Sequence, residues 1–77
     1  MAEYIDIFGR IYRIPDSDSS FWICRRHLYE YIDYYKGFIK MYEKHSIITR
    51  IQEMERAIMI TINDFHDKWD CYQLETF

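Results

Sequence analysis

Residues 42–51 read Tyr42-Glu43-Lys44-His45-Ser46-Ile47-Ile48-Thr49-Arg50-Ile51, and the fold turns on them. Upstream, apolar side chains recur at Phe21, Cys24, Leu28, Tyr31, Tyr35, Phe38 and Tyr42, with Ile32 and Ile39 widening the stripe. Alternating steps of three and four residues are the signature of one helix face. Downstream the pattern resumes at Ile47, Ile51, Met54, Ile58, Phe65 and Tyr72, with Ile62 and Trp69 alongside. The upstream stripe has heptad positions at 21, 28, 35 and 42 and the downstream one at 51, 58, 65 and 72, so the junction is two residues longer than the repeat. At roughly 100° per residue those two residues rotate a continuous helix by about 200°, which would send the halves of the stripe to opposite faces. A break within residues 44–49 removes the conflict.

Local chemistry supports the break. Lys44 and His45 suit a helix C-terminus, Ser46 suits an N-cap, and Thr49 to Gln52 has capping-box spacing. So short a connection makes the helices antiparallel neighbours. The expected spans are 19–44 and 47–73. Gly37 falls inside the first and costs about 1 kcal/mol relative to Ala in a helix interior; the stripe continues past it, which favours a kink over an end.

Ahead of the first helix, Asp16-Ser17-Asp18-Ser19-Ser20 supplies capping oxygens after Pro15. Residues 4–14 are rich in β-branched and aromatic types around Gly9 and read as two short strands or one bent strand. Such a hairpin is marginal alone and needs a surface to pack on. The expected fold is therefore mostly α, a small α+β protein in which a β segment precedes a two-helix antiparallel hairpin, with residues 1–77 forming one domain. The β-branched run Ile58 to Ile62 is ambiguous between helix and strand, and its helical flanks favour helix.

A chain of 77 residues buries only roughly 60% of the surface its unfolded form exposes. Stability of such a chain is commonly supplemented by disulfides, a metal or association. Only Cys24 and Cys71 carry thiols, and Met-Ala-Glu-Tyr-Ile-Asp at the N-terminus lacks the basic and apolar regions of a signal peptide. A reducing cytoplasm is expected, or the cytoplasm or nucleus of a host. The longest near-continuous apolar run, Ala57 to Ile62, is far short of the roughly 20 residues that cross a bilayer. A net charge of −3 with dispersed Lys and Arg lacks the footprint of a nucleic-acid binder.

Chemistry-bearing groups are sparse. Cys24-x-x-His27 lies early in the first helix and His66 and Cys71 late in the second, so an antiparallel hairpin would bring 24 toward 71 and 27 toward 66. That donor set matches zinc. Against it, His66 and Cys71 are about 140° apart around a continuing helix, and ordinary packing of all four side chains is preferred. No cofactor is expected. Glu53 with Glu55, and Asp64 with Asp67, read as solvated helix faces, and no nucleophile elbow, phosphate loop or zinc-protease helix occurs. The chain is not expected to be an enzyme.

Arg25 and Arg26, beside Trp22 and Tyr29, are the nucleic-acid candidates, since arginine pairs with phosphate while aromatic rings stack on bases. Asp16, Asp18, Glu30 and Asp33 surround them, which favours salt bridging instead. The terminal Gln73 to Phe77 presents an aromatic residue beside a carboxylate, an end that some modules capture by strand addition. A frayed or packed terminus is the simpler reading.

The unusual composition is aromatic: eight Tyr, five Phe and two Trp. Two helices share one seam, yet Trp22, Tyr29, Tyr34, Met41, Met59 and Ile60 lie off it. Tyr and Trp are enriched in protein interfaces. The expected function is non-enzymatic protein binding through this aromatic-rich helical surface, with a second protein or a second copy as partner. A small acidic inhibitor from a virus or mobile element would suit such economy. The alternatives are a structural subunit of a larger assembly and, with less support, a nucleic-acid binder.

Overall fold

The computed structural model describes residues 1–74. The carboxylate of Phe77, considered above as a capture motif, lies outside the described residues. Strands β1 (Ala2–Ile5) and β2 (Ile11–Ile14) form an antiparallel pair in which Tyr4 faces Tyr12 and Ala2 faces Ile14. Asp6 organises the turn between them. Its buried carboxylate accepts from the backbone N–H of Phe8 and of Arg10, both at 2.9 Å. Gly9 completes the turn at φ +79°, a left-handed conformation that glycine adopts without a Cβ clash. The period of two then directs Tyr4, Tyr12 and Ile14 to one face, while Glu3 and Arg13 pair at 3.8 Å on the other.

Helix α1 (Ser19–Lys44) begins on Asp18, whose carboxylate accepts from the Phe21 N–H at 3.2 Å. It runs unbroken through Gly37 to the connection, and α2 (Ile48–Lys68) returns alongside it. The break falls where the phase shift demands. Its chemistry differs from the expectation, because Ser46 does not cap α2. Ser46 instead takes φ +55° and ends α1, with its own N–H donating to the Glu43 carbonyl at 3.1 Å and the Ile47 N–H donating to the Tyr42 carbonyl at 3.0 Å. This is a Schellman closure, with serine in the left-handed position that glycine usually fills. The N-cap of α2 is Ile47, which has no capping side chain.

A second difference is the end of α2. The stripe carries on to Tyr72, but the helix stops at Lys68 and a 3₁₀ turn, Asp70–Tyr72, follows. Tertiary bonds account for the early stop. The chain swings back to β2, where Gln73 bridges to Tyr12 and the Leu74 N–H donates to the Ile11 carbonyl at 2.8 Å. The Trp69 and Tyr72 rings stack at 5.8 Å and both pack on Phe21.

One end of the molecule holds the whole core. Tyr4, Tyr12, Ile14, Phe21, Leu28, Ile32, Ile62 and Phe65 form a single buried cluster, with Trp22, Cys24, Tyr29, Ile58, Trp69 and Tyr72 packed around it. The sheet thus covers one side of the N-terminal part of α1 and the C-terminal part of α2. The rest of the hairpin extends past it, giving extents of 45 × 27 × 15 Å.

Candidate functional site

The six side chains expected to leave the seam divide into two groups. Trp22 and Tyr29 belong to the core end and are half-buried. The Tyr29 hydroxyl is 2.8 Å from that of Tyr4, and the guanidinium of Arg25 lies 4.9 Å from the Tyr29 ring, 4.8 Å from Tyr4 and 5.5 Å from Trp22. Arg25 is therefore held by three rings, as cation–π attraction favours. Trp22 and Tyr29 thus brace the sheet against α1, and the salt bridges expected of Arg25 and Arg26 do not form among the described residues. Arg26 remains exposed beside Glu30 and Asp33.

The four possible zinc ligands are not gathered. His66 turns toward the sheet, where its Nδ1 is 2.6 Å from the Tyr12 hydroxyl. Cys24 instead has the Lys68 ammonium 3.5 Å from its sulfur, His27 is exposed, and Cys71 is exposed on the 3₁₀ turn. Both thiols are free, and among the described residues no three His, Cys, Asp or Glu side chains converge. The early end of α2 is the physical reason, since it takes Cys71 out of the helical register that would bring it opposite Cys24.

Hydroxyl chemistry at the core end is structural, and it sets an alkaline limit. Burial, reinforced by the bond to Tyr29, holds the Tyr4 phenol well above its ordinary value of 10.0, and burial also raises Tyr12. The hydrogen bond to Asp18 raises Tyr72, while Ser20 and then Tyr72 lower Asp18. Phenols with raised folded-state values hold protons that the unfolded chain has released, so their stabilising contribution is complete below pH 10.0 and is lost as pH climbs through the folded values. Helical circular dichroism is expected to persist to about pH 10 and then fall together with the rise of tyrosinate absorbance from these buried rings. Full ionisation of every tyrosine with the helices intact would contradict this.

Tyr34, Met41, Met59 and Ile60 form the other group, on the arm of the hairpin beyond the core. None of residues 33–61 is buried, and these four are 61%, 43%, 44% and 52% exposed. They do not form one patch. By helical geometry of about 100° per residue, Tyr34, Met41 and Ile60 lie on flanks turned away from the sheet, whereas Met59 lies on the sheet side of α2. Tyr34 belongs to an aromatic row on α1, with its ring 5.9 Å from Tyr35 and 4.8 Å from Phe38, which in turn stacks 6.1 Å from Tyr42.

Tyr31 joins this surface unexpectedly. Its place on the apolar stripe suggested burial, yet it is 56% exposed and lines a shallow groove with Cys24, His27, Leu28, Thr61 and Phe65 on the side opposite the sheet. Ile47 and Ile48 at the tip are also exposed. The signal for these was available in the width of the stripe: two helices cover only the seam between them, so apolar positions on its margin stay open unless a third element lies over them.

Fold and surface together define a two-helix hairpin anchored at one end by a two-stranded sheet and carrying an aromatic arm at the other. No protein-family model, curated protein or solved structure matches the chain. Among the described residues, no helix is long and apolar enough to cross a membrane.

Proposed function

We propose that this protein is a non-enzymatic binding module whose hairpin arm docks on another polypeptide, in the manner of a compact inhibitor or adaptor. The observation that carries this reading is the separation of the molecule into a packed end and an arm without a buried side chain. An arm that contributed only to the monomer's core would bury its apolar stripe, whereas this one leaves stripe residues such as Tyr35, Phe38, Ile51 and Met54 only half-buried and, off the stripe, Tyr34, Met41 and Ile60 open. Exposed apolar surface rimmed by charge is the usual mark of an interaction site. A virus or mobile element, in which a short chain acts by blocking a larger protein, is the setting we infer for it.

The test compares wild-type protein with the double variant Tyr34→Asp and Ile60→Asp as baits in the native source. Both positions are exposed, so stability is expected to change by only about 0.5 kcal/mol per site. Circular dichroism should be retained while the captured partner is lost. Undiminished capture by the folded double variant would remove the arm from the binding site.

A further inference from the structure

We propose that the partner of the arm includes a second copy of this chain, joined through the outer face of α1 in an antiparallel pair centred on Gly37. This rests on the protein-binding reading above and gives that surface an occupant. The first observation is the glycine itself. Gly37 lies mid-helix, its backbone is not in the left-handed region, and a Cβ added there would meet nothing within 4 Å. Nothing inside the monomer requires glycine, although an exposed helical glycine carries a propensity cost. Close approach of another backbone supplies the missing reason, because only glycine lets two helix axes come together without side chains between them.

The second observation is charge. At about 100° per residue, Glu30, Asp33, Tyr34, Gly37, Lys40, Met41 and Lys44 share the face of α1 that points away from α2. From Glu30 to Lys44 acid lies on the N-terminal side of Gly37 and base on the C-terminal side, with Arg26 on the same face one turn before Glu30, and none of the four charged groups is within salt-bridge distance of a partner among the described residues. Lys40 and Lys44 follow one another at four-residue spacing, where like charges repel along a helix. The favourable interaction of base with a helix C-terminus reaches only the last turn, so it accounts for Lys44 but not for Lys40.

A two-fold axis through Gly37 resolves both features. It sets Glu30 opposite Lys44 of the second copy, and it sets Asp33 and Tyr34 against Met41 and Lys40 of that copy, with each contact repeated by symmetry as an isologous interface requires. The outermost pair stands seven residues, or about 10 Å, from the crossing point. A shallow antiparallel crossing of about 20° keeps such a pair in reach, whereas a steep one of about 50° would splay it. Tyr34 and Met41, open in the monomer, then flank the glycine contact and become covered.

The experiment is sedimentation equilibrium on the purified full chain, with three variants. The wild type is expected to be a dimer. Gly37→Leu should unfold at a higher temperature as a monomer, since helix propensity improves, while losing the dimer. The double variants Glu30→Lys with Asp33→Lys, and Lys40→Glu with Lys44→Glu, should each be monomeric alone and should form a mixed dimer when combined. A monomeric wild type would overturn the proposal, and capture of a different protein through Tyr34 and Ile60 would still stand as a separate result. A wild-type dimer that survives Gly37→Leu, or charge variants that fail to recombine, would overturn this interface in particular.

Discussion

Replacing Phe21 with alanine is expected to cost about 3–5 kcal/mol, the range for removing a large aromatic from a closed core. Phe21 is fully buried. Its ring lies 5.2 Å from Phe65, 5.3 Å from both Trp22 and Trp69, and about 6 Å from Tyr4, Tyr12 and Tyr72, mostly in edge-to-face or tilted arrangements. It is the residue at which the sheet, both helices and the 3₁₀ turn meet. A chain of this length has a total stability of roughly 4–11 kcal/mol, so the substitution should remove a large share of it. Urea titration would read the loss as a lower midpoint at unchanged slope. A cost below about 2 kcal/mol would mean that the surrounding rings collapse into the space, and that the core is less rigid than its ring geometry implies.

That core also shows where sequence reading succeeds and where it stops. The positions of both helices followed from phase: Tyr42 and Ile51 cannot share a face across nine residues of unbroken helix, and α1 ends at Lys44 as that requires. The strands followed from β-branched and aromatic residues around Gly9. What did not follow were features decided by contacts distant in sequence. The stop of α2 at Lys68 depends on Gln73 and Leu74 finding the edge of β2, and no local breaker announces it. Ser46 looked like a cap because its hydroxyl suits one, while the connection needed a left-handed residue instead.

The exposed apolar surface divides in the same way. Tyr34, Met41 and Ile60 were legible because a two-helix seam leaves other faces open. Trp22 and Tyr29 satisfied the same rule and yet are largely covered, since the rule does not say which flank the β segment will occupy. The sheet settles on the flank where Arg25 can lie over Tyr4, Trp22 and Tyr29, and the opposite flank, bearing Tyr31, is the one left open. The acidic residues around Arg25 favour a salt bridge on sequence grounds, yet its guanidinium lies over aromatic faces brought together by the sheet, a contact that local charge does not announce.

Shortening the arm should have the opposite effect to cutting into the core. Removing residues 36–42 from α1 and 51–57 from α2 takes one heptad from each helix, so the stripe keeps its phase and the connection at Ser46 keeps its geometry. None of the deleted side chains is buried. Their partial burial returns less than the roughly 1.5–3 kcal/mol of a fully covered side chain, and ordering each residue costs about 1–2 kcal/mol of backbone entropy, so the deletion is close to balanced. The shortened chain is expected to unfold cooperatively, with a lower denaturant slope because less surface is exposed. Near-ultraviolet circular dichroism from Trp69 and Tyr72 and the Tyr12 to His66 bond should persist. Association through Gly37, Lys40 and Met41 should vanish, because those residues are gone. If the shortened chain instead loses its near-ultraviolet signal while keeping helicity and binding a hydrophobic dye, it is a molten state. The arm would then be part of what holds the monomer together, and the division between an anchoring end and a binding end would fail.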